Sequence, residues 1–427
     1  MNEAVLTNPS AVRDTFLDRT ARSVLRRRLA GLARGEVVLQ EAEDEWRCGR
    51  PGDLQATVQV HRPRFYRQAL VGGTLSVAES YLQGDWDCDD LTSLFRIFLR
   101  DRQASESLEE GPLTRLANFG RRLLHWGNAN TVAGSRRNIS AHYDVGNEFY
   151  RLWLDETMAY SSAIFPHPTA TLAEGSIEKF DRICRKLALG PSDKVVEIGT
   201  GWGGFALHAA GAYGSRITTT TISREQRTIA RERIEAAGLA DRITLLDQDY
   251  RDLHGRFDKL VSIEMIEAVG HRYLDAFFGQ CSRLLVPDGS MVLQAIVMPE
   301  RGYPAYLRSV DFLQRYIFPG GCVPSLGAML DSVARATDLR FVHAEDLAPH
   351  YAETLRRWRI AFHARINDVR QLGYSETFLR MWHYYLCYCE AAFEERYIGV
   401  LQVQFDKPEC RRDPIELSRR AAGACTL

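Results

Sequence analysis

The segment Lys194–Phe205, KVVEIGTGWGGF, constrains this chain more than any other. A short apolar run carrying Glu197 passes into a turn with Gly199, Gly201, Gly203 and Gly204, then into an apolar helical stretch. Strand, glycine turn and helix in that order form the ligand-receiving corner of a parallel α/β sheet, because glycines let a ligand approach the backbone. Neighbouring runs agree. SRITTTTI, RITLLDQD, FDKLVSIE and GSMVLQAIVM read as strands separated by helical stretches, which predicts a parallel sheet with helices on both faces from Asn138 onward. From about Gly302 to Glu394 the pattern turns helical and aromatic, and VLQVQF reads as a last strand returning to the sheet. The expectation is an α/β domain with a helical insertion, 302–394, that roofs a site.

Dinucleotide enzymes share the GxGxxG spacing, but they also need an acid about 20 residues further on to hold a ribose diol. Here the second strand ends Thr219-Thr220-Thr221-Ile222-Ser223, with no carboxylate. Glu197, just before the first glycine, instead suits the acidic first strand of S-adenosylmethionine enzymes, and QDYRDL sets Asp249 beside the expected adenine position. A turn that merely packs helix on strand explains any one of these glycines, but explains the set poorly.

The first 125 residues read as a small α+β domain, joined through a Gly- and Asn-rich linker (126–137) to a second domain over 138–427. EVVLQEAED and LQATVQVH read as strands, SVAESYL as a helix, and Asp89 or Asp90 as the cap of a helix ending near Arg100. The opening helix, Thr15 to Ala33, mixes Arg19, Arg22, Arg26, Arg27 and Arg28, with Arg13 and Arg34 at its flanks, with Phe16, Leu17, Val24, Leu25, Leu29 and Leu32. A basic amphipathic helix can lie on an anionic leaflet; a solvated charged face is the plain alternative, and Asp14 and Asp18 favour it. With 54 basic against 55 acidic residues the chain lacks the basic excess of a nucleic-acid binder. It has no long apolar stretch, and MNEAVLTNPSAVRD has no secretory pattern, so the expected location is the cytoplasm. Nine scattered cysteines read as reduced thiols, and Cys387 and Cys389 with His383 lack a second ligand group at metal-site spacing. No metal is expected.

Several longer motifs carry a resemblance: AHYDVGNEFYRLWLD, MAYSSAIF, VVEIGTGWGGFA, TISREQ, QDYRDL, SIEMIEAVG, YIFPGGCVPS, HYAETLRRW and MWHYYLCYCEAAF. In this set and order the chain resembles the cyclopropane-fatty-acyl-phospholipid synthase and mycolic-acid methyltransferase family over nearly its whole length, and ESYLQGDWDCDDL resembles that family's lipid-binding N-terminal module. The resemblance implies a Rossmann-like fold with S-adenosylmethionine held by Tyr160, Ser161, the Glu197–Gly204 turn (Gly199, Gly201, Gly203), Thr221 to Gln226, Gln248 and Asp249. It implies a substrate in which the cis double bond of an unsaturated acyl chain sits in a membrane phospholipid, a transient bilayer partner and a homodimer.

The resemblance also implies a bound bicarbonate ion as the base, in a cradle whose Glu matches Glu267 and whose Tyr matches Tyr351. Two cradle positions depart: Ser162 stands where YSCAYF has its Cys, and Gln294 where LLHTIG has its His. Both side chains still hydrogen-bond an anion, but glutamine does not titrate as histidine does. Ring closure to a cyclopropane is the leading expectation, and a methyl- or methylene-branched product the alternative. His142 is expected to anchor a loop over the cofactor, and Cys389, which matches a proposed helix nucleophile, to be helix core. The rival classes are a small-amine N-methyltransferase, which leaves the N-terminal module without a task, and a non-catalytic lipid-binding protein, which leaves the cofactor segments without one. No GxSxG elbow is present to suggest a hydrolase.

Overall fold

The computed structural model describes residues 15–101 and 145–411. Its chain divides into two compact units, Met1–Arg121 with Glu376–Tyr384, and Arg122–Ser375 with Tyr385–Leu427. His142 and the expected linker lie outside the described residues.

In the first unit a helix, Phe16–Leu29, is closed at its start by a capping box: Asp18 N–H donates to Thr15 Oγ1 and Thr15 N–H to Asp18 Oδ2, both at 3.2 Å. Strands β1 (Glu36–Glu41), β2 (Asp44–Gly49), β3 (Gln55–Val60) and β4 (Trp86–Cys88) form a sheet in the order β2-β1-β3-β4. The sequence reading runs β1 and the following turn together and misses β2, an edge strand whose DEWRCG alternates apolar and polar only over Trp46, Arg47 and Cys48. It also sees only the last part of the helix Arg64–Leu82, which bends at Gly73, φ 65°.

The second unit is built on a seven-stranded sheet in the order β10-β11-β9-β8-β5-β6-β7. Its strands are β5 (Lys194–Ile198), β6 (Arg216–Thr220), β7 (Ile243–Leu246), β8 (Phe257–Ile263), β9 (Leu285–Val297), β10 (Arg340–Asp346) and β11 (Gly399–Asp406). From β7 to β9 all pairings are parallel; β11 pairs antiparallel with β9, and β10 antiparallel with β11. Neighbouring strand residues serve opposite faces. Val196, Leu260 and Met291 join the core under helices Leu274–Leu284 and Leu326–Ala336. Val195, Val261 and Val292 join the core under helices Leu172–Leu187 and Gly204–Tyr213. Both faces are covered, as continuous apolar strands require.

The stretch 302–394, expected to be mostly helical, also contains β10. RFVHAED is almost wholly exposed on the sheet edge, so it carries no buried face for a sequence pattern to reveal. β5 lies between β6 and β8, so the chain leaves it in opposite directions, and the crevice over the carboxyl ends of β5 and β8 is where such sheets bind ligands.

Asp90 does cap the helix Leu91–Arg100, accepting from Ser93 N–H at 3.0 Å. We predict that Asp90→Ala lowers stability by about 1 kcal/mol in urea unfolding of the N-terminal unit's signal; an unchanged midpoint would contradict the capping role.

Candidate active site

The glycine turn builds the floor of a cleft. Gly199, Gly201 and Gly203 all have positive φ, at 103°, 53° and 88°. A Cβ on Gly199 would press on Met265 at 3.2 Å, whereas one on Gly201 would meet nothing within 4 Å and would project into open space. The turn therefore keeps a volume clear for a ligand at the N-terminus of the helix Gly204–Tyr213. The cleft encloses about 1190 Å³, including its mouth to solvent. Tyr160, Ser161, Glu197, Gly199, Gly201, Thr221, Gln226, Gln248 and Asp249 all line it, and Gly203 sits in the same turn beneath.

Each of these residues is held. Glu197 is buried and accepts from Thr219 Oγ1 at 2.6 Å. Thr221 Oγ1 donates to Gln226 Oε1 at 3.0 Å. Asp249 takes two hydrogen bonds from the Arg251 guanidinium, at 2.7 and 2.8 Å, so its charge is neutralised within the wall. Tyr160 shares a hydrogen bond with the Tyr385 hydroxyl at 2.8 Å, and its ring lies 5.3 Å from Trp358 and 5.4 Å from Tyr150. Ser161 Oγ accepts from Lys179 Nζ at 2.7 Å. Burial pulls that ammonium down to about 8, against the pull of Glu264 and Asp155.

The most consequential side chain is one the sequence reading passed over. Glu264 follows β8, lines the cleft, and is held by three donors: Ser162 N–H (2.9 Å) and Gln294 Nε2 (2.7 Å) on Oε1, and the Tyr351 hydroxyl (2.7 Å) on Oε2. Its backbone is left-handed, φ 48°, a conformation suited to glycine that costs a longer residue on the order of 1 kcal/mol. Its amide is fixed by the Gln294 carbonyl at 2.8 Å. Burial raises its pKa, while the three donors and Lys179 pull it back.

The donors are themselves oriented. Lys186 can only donate, and does so to Gln402 Oε1 at 2.7 Å. Gln402 then presents Nε2 to Gln294 Oε1 at 3.0 Å, which turns the Gln294 amide nitrogen onto Glu264. Tyr351 stays a phenol, its pKa raised by burial and by Glu264.

The other expected residues fall as follows. The Ser162 hydroxyl bonds the Ala163 carbonyl, so Ser162 serves through its backbone and not, as its chemistry suggested, through its side chain. Glu267 is half-buried and accepts from Ile296 N–H at 2.6 Å through Oε1. Its Oε2 has no hydrogen-bond partner among the described residues. Burial, and then the charge of Glu264, push Glu267 up to about 8. Cys389 is buried and its thiol pushed well up by desolvation, which keeps it un-ionised. Bicarbonate does not fit this site. Ser162 N–H, Gln294 and Tyr351 already converge on the Glu264 carboxylate, and a second anion there would compete for those donors and face that carboxylate at close range.

Residues 131–403 match the family model described as mycolic acid cyclopropane synthetase. The chain belongs to that family. It is 38% identical over 366 residues, 80% of this chain and 81% of the relative, to the tuberculostearic acid methyltransferase UfaA1 of Mycobacterium tuberculosis. It is 34% identical over 365 residues, 83% of this chain and 89% of the relative, to the cyclopropane-fatty-acyl-phospholipid synthase of Escherichia coli. The solved mycolic acid cyclopropane synthase CmaA1, complexed with SAH and CTAB, superimposes with a TM-score of 0.60 at 31% identity, covering 64% of this chain and 98% of that one. The chain is an S-adenosylmethionine-dependent methyltransferase of the cyclopropane synthase type. S-adenosylmethionine fits the open glycine cradle and the uncharged end of β6.

Burial pushes Glu197 up to about 8 from its ordinary 4.5. Between those values the folded chain keeps a proton that the unfolded chain has released, so stability falls as pH rises from about 5 to 8. A single group titrating this way contributes at most about 1.4 kcal/mol per pH unit. Glu197→Gln should therefore show a shallower decline of the urea midpoint over that range; a decline as steep as wild type would contradict the assignment.

Proposed function

We propose that this methyltransferase adds one carbon to the cis double bond of an unsaturated acyl chain in a membrane phospholipid and closes it to a cyclopropane. When bound, S-adenosylmethionine supplies a sulfonium-activated methyl group. An alkene is a weak nucleophile, so the protein's contribution is alignment in a water-poor space and stabilisation of the cation that methyl attachment leaves. Tyr160 and Trp202 give the cleft aromatic walls suited to positive charge. The observation that carries the reading is the half-buried carboxylate of Glu264, held by the Tyr351 hydroxyl on the wall of the cofactor cleft itself, where a base would serve the methyl that is transferred. A base so placed favours proton loss from that methyl, which closes the ring.

A second reading, a methyl- or methylene-branched product, draws support from the 38% identity to a tuberculostearic acid methyltransferase. The site offers no ionised thiol, and its charged groups are tied to one another, which suits an uncharged, apolar acceptor better than an amine.

Access to a bilayer is supported by the first helix. Phe16 and Leu17 are 74% and 60% exposed at its start, with Arg19 and Arg27 exposed nearby. Arg22 and Arg26 do not belong to that basic set, because Arg22 pairs with Glu41 at 2.7 Å and Arg26 stacks on Trp46. No helix among the described residues is long and apolar enough to cross a membrane.

The test is incubation with methyl-labelled S-adenosylmethionine and vesicles of a monounsaturated phospholipid, followed by proton NMR of the fatty acids. High-field cyclopropyl protons are expected. Vinylidene protons would establish the branched product, and absence of label from lipid would refute both readings. Replacing Phe16 and Leu17 by Ser should cut the vesicle-bound fraction of the protein in flotation while leaving the cofactor site intact; unchanged flotation would contradict the docking role.

A further inference from the structure

Three donors that would suit a small oxyanion converge on one point in the catalytic half: Ser162 N–H, the Tyr351 hydroxyl and the Gln294 amide. The chain fills that point with its own carboxylate. We propose that Glu264 is the base of the reaction, a built-in replacement for a dissociable bicarbonate ion, so that this enzyme turns over without bicarbonate.

Four independent features converge on this assignment. The carboxylate lies at the carboxyl end of β8 on the wall of the cofactor cleft, so it faces the reacting space and not a remote core. Oε1 accepts two hydrogen bonds and Oε2 only one, which leaves Oε2 a lone pair for a proton. Its backbone holds a left-handed conformation that a glycine would occupy without strain, and strain of this kind persists where a side chain has work to do. The amide chain from Lys186 through Gln402 and Gln294 fixes a donor, not an acceptor, toward it, an arrangement that favours the ionised form. Lys179, buried behind Ser161, adds the nearest positive charge. Glu267 has a single backbone donor, from Ile296, and burial and then Glu264 push it up to about 8, so of the two acids Glu264 is the better supported as a carboxylate.

The step rests on the acceptor being an alkene, as proposed above. The methyl carbon bonds to one alkene carbon while its bond to sulfur breaks, the electron pair remaining on sulfur. The other alkene carbon is left cationic. Glu264 Oε2 then takes a proton from the new methyl group, the C–H electron pair forms the third side of the ring, and the positive charge is discharged. The proton passes from Glu264 to water once the product has left the cleft, restoring the carboxylate.

The experiment uses the full chain in buffer freed of carbon dioxide, with and without added bicarbonate, and reads both label transfer to vesicle lipid and binding of carbon-13 bicarbonate by NMR. Wild type is expected to transfer label equally in both buffers and to bind no bicarbonate. Glu264→Gln should bind S-adenosylhomocysteine yet lose about 100-fold or more in turnover, the scale of a lost general base. Glu264→Gly, which suits the left-handed backbone and opens the donor cluster, should bind bicarbonate and recover turnover on its addition. The inference is overturned if wild type binds bicarbonate on these donors or needs it for turnover, or if a folded Glu264→Gln works at the wild-type rate. The binding measurement needs no acceptor, so a failure of the lipid reading, seen as unlabelled lipid under every condition, is distinguishable from a failure of this one.

Discussion

A carboxylate moved out of water into a protein interior loses hydration that only directed donors can replace. Glu264 makes that demand at the centre of the catalytic half, and separate parts of the sequence meet it. The Ser162 amide comes from the segment before the helix Leu172–Leu187, Gln294 from β9, and Tyr351 from the helix Ala348–Ala364. Gln402 on β11 and Lys186 on another helix orient the glutamine in turn. Removing any of these donors leaves part of a buried charge uncompensated, so the sheet, its antiparallel β11 and the helix above it share one electrostatic requirement.

The same requirement separates the roles of neighbouring acids. Glu264 and Glu267 lie three positions apart in one turn, both half-buried. Three hydrogen bonds and a nearby ammonium favour charge on Glu264, while Glu267 has a single backbone donor and is pushed up to about 8. Glu197, which is buried, has one threonine hydroxyl and is raised too. Donor number, not residue type, separates these carboxyls, because each added donor pulls against the rise that burial causes.

Much of this was legible in the chain. The glycine turn, the strand-helix alternation and the absence of an acid after β6 lead to the cofactor cleft directly, because backbone geometry writes itself into glycine positions and into period. The site around Glu264 was less legible. Glu267, matched by family pattern, drew attention within SIEMIEAVG, yet Glu264 was the acid standing at the end of a central strand beside the switch point. Lys179 carried a readable signal as well. It keeps step with Ile183 and Leu187 at four-residue intervals, on the buried stripe of its helix. Gln294 was reached only through the family pattern and Gln402 not at all, since a glutamine in a fully buried strand announces its partner only through tertiary packing. β10 was hidden for the opposite reason: an exposed edge strand buries nothing that a sequence must encode.

The central claim is that the chain's own carboxylate occupies the donor cluster at the cofactor cleft. A crystal structure with S-adenosylhomocysteine, grown in bicarbonate-containing buffer, tests it most directly. The account predicts Glu264 oxygens within hydrogen-bond distance of Ser162 N, Gln294 Nε2 and the Tyr351 hydroxyl, with no ion between them. A planar triatomic anion on those three donors, with the Glu264 side chain turned away, would contradict it.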